Sequence, residues 1–365
     1  MTLATGISNV MLGRLPSYTR KSRHLNLLMR YAKPRKLANI ARAELAMARG
    51  DIQLASRPYV YTVDTGNLCN LRCPLCPTGA QNLQRKQHMM THATFSRVLE
   101  KISPWAIEVI LHNWGEPFLN PDIIRIIQSA RAASVGTTIS SHLNLVHRGD
   151  DFLHDVVDAG LDHLTVSLDG TSQDVYGIYR RNGNYEKVMH NLSVILDRKR
   201  KTKSSTPVVE WQFLVMKHNE HQMDEARQMA EKLGVDRIRF TSAGLPFDEL
   251  DNQALATEWL SDHPDYQAYN PKKIREQGYM FDERCFYLYR GMTVNPGGEV
   301  SPCCVVYHAH YDFGNLLDSS LEDVWNNRQY KASRALFSRK PAEQRGDTVC
   351  EMCPLFKFEA QAARR

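Results

Sequence analysis

The chain has no run of about 18 apolar residues, so nothing in it reads as a membrane-spanning helix. It also lacks the charged, apolar and small-residue order of a secretory signal, which points to the reducing cytoplasm. Disulfides are rare there, so eight cysteines argue first for metal ligation. Acid is almost missing from one region. Residues 1–50 hold ten Lys or Arg and one acid, Glu44, which leaves about −3 for the other 315 residues of a chain carrying +6. This arm reads as a basic helix packed on the main body, with contact to an anionic surface as the alternative. It has no interleaved aromatics of the kind that stack on single strands, and no specific nucleic-acid partner is expected. No internal repeat occurs, and the basic KRKTK at 199–203 is the one biased tract.

What the chain does have is an ordinary globular composition, 42% hydrophobic and 24% charged, over a length that fits one barrel-sized unit with appendages. From Tyr59 onward β-rich runs alternate with amphipathic stretches. Six strands are expected at 59–64, 107–113, 135–140, 162–168, 208–215 and 236–240. Helices are expected near 94–102, 121–133, 149–158, 184–200 and 221–233, the last capped by Gly234. Strand then helix, repeated, predicts a parallel α/β sheet with right-handed crossovers. Six units cannot close an eight-stranded barrel, so a partial (β/α)6 TIM-like barrel is expected, with its chemistry at the C-terminal ends of the strands. The expected boundaries are a basic helical arm at 1–56, the barrel at 57–243, a linker with short helices at 244–284 and a small cysteine-bearing unit at 285–365.

Directly after the first expected strand comes Cys69-Asn-Leu-Arg-Cys73-Pro-Leu-Cys76, a C-x3-C-x2-C spacing on a loop. Three thiolates hold three irons of a cubane and leave the fourth open to a ligand. A zinc knuckle would favour two C-x2-C pairs. Five further cysteines lie far downstream: Cys285, the adjacent pair Cys303 and Cys304, then Cys350 and Cys353. Between Cys285 and Cys303, Asn295-Pro-Gly-Gly298 flanked by β-formers reads as a hairpin that draws the two cysteines together. A zinc site from the same cysteines is the alternative.

The cysteine loop resembles that of the radical S-adenosylmethionine (SAM) superfamily. The resemblance rests also on Gly115-Glu116-Pro117 after the second strand, Ser140-Ser-His-Leu-Asn144 after the third, and Ser167-Leu-Asp-Gly170 after the fourth, with Tyr179-Arg180-Arg181 beyond it. It implies that Cys69, Cys73 and Cys76 hold a 4Fe-4S cluster whose open iron chelates SAM, and that one electron cleaves SAM to methionine and a deoxyadenosyl radical. Gly115, Glu116 and Pro117 are then expected at the SAM amino group, Ser140, Asn144 and Ser167 near SAM, and Arg180, ahead of Arg181, on its carboxylate. Leu75 departs from the family, which usually has an aromatic residue there.

The C-terminal cysteines, with Gly314-Asn-Leu316 and Leu321-Glu-Asp-Val-Trp325, resemble the SPASM and twitch domains of the same superfamily. They imply an auxiliary 4Fe-4S cluster on Cys285, Cys303, Cys350 and Cys353. Cys304 is left over, either a bystander or a hydrogen-atom donor of the kind radical epimerases use. The resemblance further implies an external electron donor such as flavodoxin or ferredoxin. An auxiliary cluster favours oxidation, and the short arm places a small polar substrate, a sugar or aminocyclitol, ahead of a peptide. The alternatives are an epimerase, a peptide-modifying maturase and a non-catalytic iron-sulfur or zinc scaffold.

Overall fold

The computed structural model describes residues 18–145, 147–267, 280–281, 284–338, 340, 346–353 and 356. Two helices come first, α1 (Tyr18–Tyr31) and α2 (Pro34–Arg49). The alternating core begins with β1 (Val60–Val63), α3 (His92–Ile102), β2 (Glu108–Ile110), α4 (Ile123–Ala132), β3 (Gly136–Ser141), α5 (Asp150–Asp158) and β4 (His163–Ser167). It continues with α6 (Gln173–Tyr179), α7 (Tyr185–Thr202), β5 (Val208–Val215), α8 (Met223–Leu233) and β6 (Arg237–Ser242). All six expected strands form, and Gly234 ends α8 at φ +74°, where glycine carries no Cβ penalty. Helix α6 was not foreseen.

Strands β1 to β6 pair in chain order and in parallel. Their register gives the sheet two unlike faces. One carries Tyr61, Val63, Val109, Ile139, Leu164, Val166, Trp211 and Phe213, all buried. The helices pack on that face, each such side chain contributing about 1.5–3 kcal/mol by leaving water. The other, concave face carries Glu108, Thr138, His163, Thr165, Ser167, Glu210 and Gln212. A closed barrel fills its interior with branched apolar layers. This open one is polar inside, so the interior is furnished to hold something other than its own side chains.

The C-terminal unit consists of β7 (Met280–Phe281), β8 (Arg284–Cys285), α10 (Tyr287–Arg290), β9 (Gly291–Val294), β10 (Glu299–Ser301), β11 (Gly314–Asn315), α11 (Leu321–Trp325) and α12 (Arg328–Leu336). The expected hairpin is β9–β10, turning at Gly298 with φ +87°. It does not stand apart from the barrel. β9 pairs in parallel with β1, so among the described residues one nine-stranded sheet runs β11-β10-β9-β1-β2-β3-β4-β5-β6. Arg85, just beyond the first cysteine loop, clamps Asp312 with two 2.7 Å hydrogen bonds, and its Nε donates to Tyr307 O at 3.2 Å. Arg334, wholly buried, donates to the carbonyls of Ile52, Leu288 and Trp325. The sequence boundaries thus describe stretches of chain joined by one core.

The basic arm packs against the barrel floor. Leu27 and Tyr31 are buried, Tyr31 Oη and Arg30 Nη1 donate to Asp162 at 2.9 and 2.8 Å, and Arg23 lies 3.1 Å from Glu108. Residues 1–17 lie outside the described residues. The stretch expected as a linker holds α9 (Gln253–Trp259), which lies over the first cysteine loop: Trp259 and Leu245 share an apolar cluster with Leu71, Cys73 and Leu75. Among the described residues no helix is long and apolar enough to cross a membrane.

Candidate active site

The loop 69–76 leaves β1 at the C-terminal end of the sheet. Cys69, Cys73 and Cys76 gather in the apolar cluster formed by Leu71, Leu75, Tyr179, Met216 and Trp259. Burial pushes the Cys69 thiol up to about 12 and Cys73 to about 11, and the neighbouring thiols add to both shifts. Crowded sulfurs in an apolar pocket resist ionising until cations join them. Leu75 is buried, and Tyr179 and Trp259 meet edge to face at 5.7 Å in the same cluster, so aromatic surface arrives here from α6 and α9.

The glycine of the Gly115-Glu116-Pro117 turn is required by contact. A Cβ at 115 would stand 1.9 Å from Gly66 O and 2.8 Å from Leu68 O, and Glu116 N donates to Leu68 O at 2.9 Å. This turn is therefore seated directly on the approach to the cysteine loop. The Glu116 side chain, expected to face a ligand ammonium, turns inward. Its Oε1 accepts from Phe118 N at 3.1 Å and Ser141 Oγ at 2.7 Å, and its Oε2 from His142 N at 3.0 Å. Glu116 ties the end of β2 to the end of β3, leaving the turn's backbone as its open feature.

His142 completes this link, and sequence reasoning missed it. Its Nδ1 accepts from Asn144 N at 2.9 Å, so the ring proton sits on Nε2, 3.1 Å from Glu116 Oε2 and 3.6 Å from Cys69 Sγ. Burial holds the imidazole neutral against the pull of Glu116. His112, also missed, faces the barrel interior. Its Nδ1 accepts from Ser140 N at 2.9 Å and burial lowers its pKa to about 4, so a neutral ring keeps its proton on Nε2. A lone histidine after a strand carries no sequence signal; only the register places these two.

Ser140 and Ser167 come together, with their hydroxyls 3.2 Å apart on adjacent strands. Asn144 does not join them. It is buried, and its Nδ2 donates to Asn184 O at 3.1 Å. Arg180 reaches the cysteine loop: its Nε donates to Asp169 Oδ2 at 2.6 Å and its Nη1 lies 3.9 Å from Cys73 Sγ. Burial opposes the guanidinium charge, but Asp169, Cys73, Tyr179 and Tyr176 together outweigh it and the group stays charged. Arg181 instead lies over the Trp259 ring at 5.9 Å.

At the C-terminal unit, Cys285, Cys303, Cys350 and Cys353 line one cavity whose remaining walls are apolar, among them Phe247, Leu288, Val306 and Phe337. Burial pushes the thiols of Cys285, Cys303 and Cys350 up, Cys350 to about 11, and Cys303 feels the other three sulfurs as well as Cys304. Cys304 does not line the cavity; its Sγ donates to Tyr287 Oη at 3.4 Å. Asn113, with its amide oriented to satisfy both neighbours, donates to Cys304 O at 3.1 Å and accepts from Trp114 Nε1 at 2.9 Å. Cys304 thus stands between the barrel mouth and the four-cysteine cavity. Among the described residues no three His, Cys, Asp or Glu side chains close on one point as ligands of a single ion would.

The Radical SAM superfamily model matches residues 63–210, and the SPASM model, an iron-sulfur cluster-binding domain, matches 285–354. The chain belongs to the radical SAM superfamily. Its C-terminal part is a SPASM domain, and its cofactors are S-adenosylmethionine and 4Fe-4S clusters. Two thiol sets, three and four strong, each gathered in an apolar setting, suit such clusters. Similar proteins include a PqqA peptide cyclase of Gluconobacter oxydans, 26% identical over 75% of this chain and 78% of that protein. A second, from Ruegeria pomeroyi, is 24% identical over 73% of this chain and 74% of its own. Among solved structures, Streptococcus suis SuiB bound to precursor peptide SuiA superposes with a TM-score of 0.59 at 14% identity, covering 88% of this chain and 75% of that one. Native anSMEcpe with bound AdoMet superposes with a TM-score of 0.53 at 12% identity, over 84% and 98%. These two share the radical SAM fold.

Proposed function

We propose that this radical SAM enzyme modifies a peptide, removing two hydrogens from it to form a new bond within the substrate. In this reading Cys69, Cys73 and Cys76 hold the SAM-binding cluster, while Cys285, Cys303, Cys350 and Cys353 hold one auxiliary cluster. The observation that carries the substrate class is the match to PqqA peptide cyclases along about three quarters of both chains. It displaces the sugar or aminocyclitol reading, which rested on the shortness of the basic arm.

When bound, the clusters and SAM supply one-electron cleavage of SAM, a hydrogen-abstracting radical and an acceptor for the second electron. The chain's own residues orient and enclose. Arg180, braced by Asp169, presents a cation to the SAM carboxylate, a charge-assisted contact in a buried setting. Gly115 admits the backbone of its turn close to the cysteine loop, and Ser140 and Ser167 offer hydroxyls beside it. α9 and Trp259 exclude water from that loop. The polar concave face, with His112 as a fixed N–H donor, is suited to peptide amides and polar side chains. An external flavodoxin or ferredoxin delivers the electron that starts each turnover.

The test uses anaerobically reconstituted enzyme with SAM, dithionite and short peptides encoded beside it. Deoxyadenosine and methionine should form in step with a peptide two hydrogens lighter. Intact clusters that never cleave SAM would favour a non-catalytic scaffold. Deoxyadenosine formation coupled to a sugar and to none of the peptides would restore the small-substrate reading. The placement of Cys304 at the barrel mouth favours epimerisation as a second reading. Product that takes up deuterium from heavy water at unchanged mass otherwise, with loss of turnover in Cys304→Ala, would select it.

A further inference from the structure

Packing on the barrel uses only one face of α2. That buried side mixes Ile40, Ala43 and Met47 with polar anchors. Lys36 Nζ donates to Ser134 O at 2.6 Å, Asn39 exchanges two 2.8 Å hydrogen bonds with Arg57, and Glu44 accepts from Tyr59 Oη at 2.6 Å and from Arg290. Arg57 and Tyr59 come just before β1 and Ser134 just before β3, so α2 lies at the floor of the barrel, at the end of the strands away from the cysteine loop.

The outward side of α2 is apolar along its centre. Pro34, Leu37, Ala38, Ala41 and Leu45 are all exposed, and their helical spacing sets them in one stripe along the axis. Leu37 is 38% and Leu45 48% exposed. Arg35, Arg42 and Arg49 recur every seven residues and run along one flank of that stripe, also exposed. Arg35 lies over the Trp105 ring, while Arg42 and Arg49 make no ion pair among the described residues. Leu25 and Met29 of α1, one turn apart and both exposed, add apolar surface at the same end of the barrel. Neither helix turns an acid outward: α1 has none, and the one acid of α2, Glu44, is buried on Tyr59 and Arg290.

Single exposed leucines are ordinary, but a continuous apolar stripe flanked by cations alone is the pattern of a helix lying in a membrane interface. Leu and Ala enter the acyl boundary there, and the guanidiniums beside them meet phosphate headgroups. An acidic protein would also answer the arginines, but it would have to offer an apolar groove shaped to the helix. A fluid leaflet meets a straight ridge without one. We propose that the outward face of α2 docks this enzyme on an anionic phospholipid surface. The barrel then stands on its floor, with the cysteine loop directed away from the lipid. The inference is independent of the peptide reading.

The test sediments the full-length, cluster-loaded protein anaerobically with vesicles of phosphatidylcholine, alone or mixed with phosphatidylglycerol. The protein should bind the mixed vesicles, more weakly as salt rises, and leave the neutral ones. Arg42→Gln with Arg49→Gln should weaken binding roughly 25-fold, at about fivefold per cation. Arg125→Gln with Arg227→Gln removes the same charge from α4 and α8 and should change binding little. Leu37→Gln with Leu45→Gln should weaken binding about tenfold or more and leave the melting temperature unchanged, since both side chains already meet water. No binding to the mixed vesicles, equal binding to both kinds, or equal binding by wild type and the two α2 variants overturns the proposal. A marked fall in melting temperature for the leucine variant would mean that the chain itself covers the stripe. A vesicle-free dimer that this variant disperses would assign the face to a second copy. Either result overturns the lipid reading.

Discussion

The His142 imidazole stands with Nε2 3.6 Å from the sulfur of Cys69, and its proton is committed to that side because Nδ1 accepts from Asn144 N. An N–H aimed at a ligating sulfur withdraws charge from it and raises the potential of the cluster it holds. His142→Phe should therefore shift the SAM-binding cluster to a more negative potential in an EPR-monitored titration, with the auxiliary cluster unmoved. His142→Gln, which can return an N–H to that side, should recover part of the shift. Equal potentials in wild type and His142→Phe would remove His142 from this role.

Two separate thiol sets make separable iron contents. Changing Cys69, Cys73 and Cys76 together to Ala should leave about four irons per chain, and changing Cys285, Cys303, Cys350 and Cys353 together should leave about four as well. Iron and sulfide analysis of the reconstituted variants decides this. A first variant that retains no iron would defeat the two-site assignment.

Arg180 and Arg181 are neighbours in sequence with different surroundings. Arg180→Ala should weaken SAM binding by roughly ten- to hundredfold, the value of about 1.5–3 kcal/mol for a charged hydrogen bond. It should also lower stability by leaving Asp169 buried without its cation. Arg181→Ala removes a guanidinium lying over the Trp259 ring and should change SAM affinity little. Equilibrium binding to the cluster-loaded variants separates the two.

Asp64 comes directly after β1 and holds the next turn through its carboxylate, which accepts from Trp114 N at 3.3 Å. Burial raises its pKa to about 7, well above its ordinary 3.8. The folded chain therefore binds a proton here more tightly than the unfolded chain. The stability this contributes is fully present below about pH 4 and is lost as pH rises through 7, by at most about 4 kcal/mol. Asp64→Asn keeps an acceptor and loses the titration. Thermal melts of the cluster-free proteins at pH 5 and 8.5 should show the variant gaining on wild type at the higher pH, and parallel melts would contradict this.

Much of the fold was legible because two different periodicities alternate along the chain. Residues 59–240 read as six strands with helices between them, and the cysteine spacing at 69, 73 and 76 stood out because three thiols on one short loop have few other uses. The same reasoning says little about how the stretches between such landmarks pack. Residues 244–284 lost the alternation and read as a linker with short helices; that one of these, α9, puts Trp259 over the cysteine loop shows only in the fold. The partners of Glu116, Ser141 and His142, lie 25 and 26 residues away and appear in no local pattern.

Local spacing thus determined that Cys69, Cys73 and Cys76 lie together, where strands and helices alternate and where the hairpin turns, since these depend on residues close along the chain. Tertiary structure alone decided the rest. The parallel pairing of β9 with β1 joins the SPASM hairpin to the barrel sheet across more than 200 residues. The register turns polar side chains inward along every strand, and the packing of α1 under the floor brings Arg23 to Glu108. Such relations are set by which surfaces bury each other, and a linear sequence does not carry that information in any short stretch.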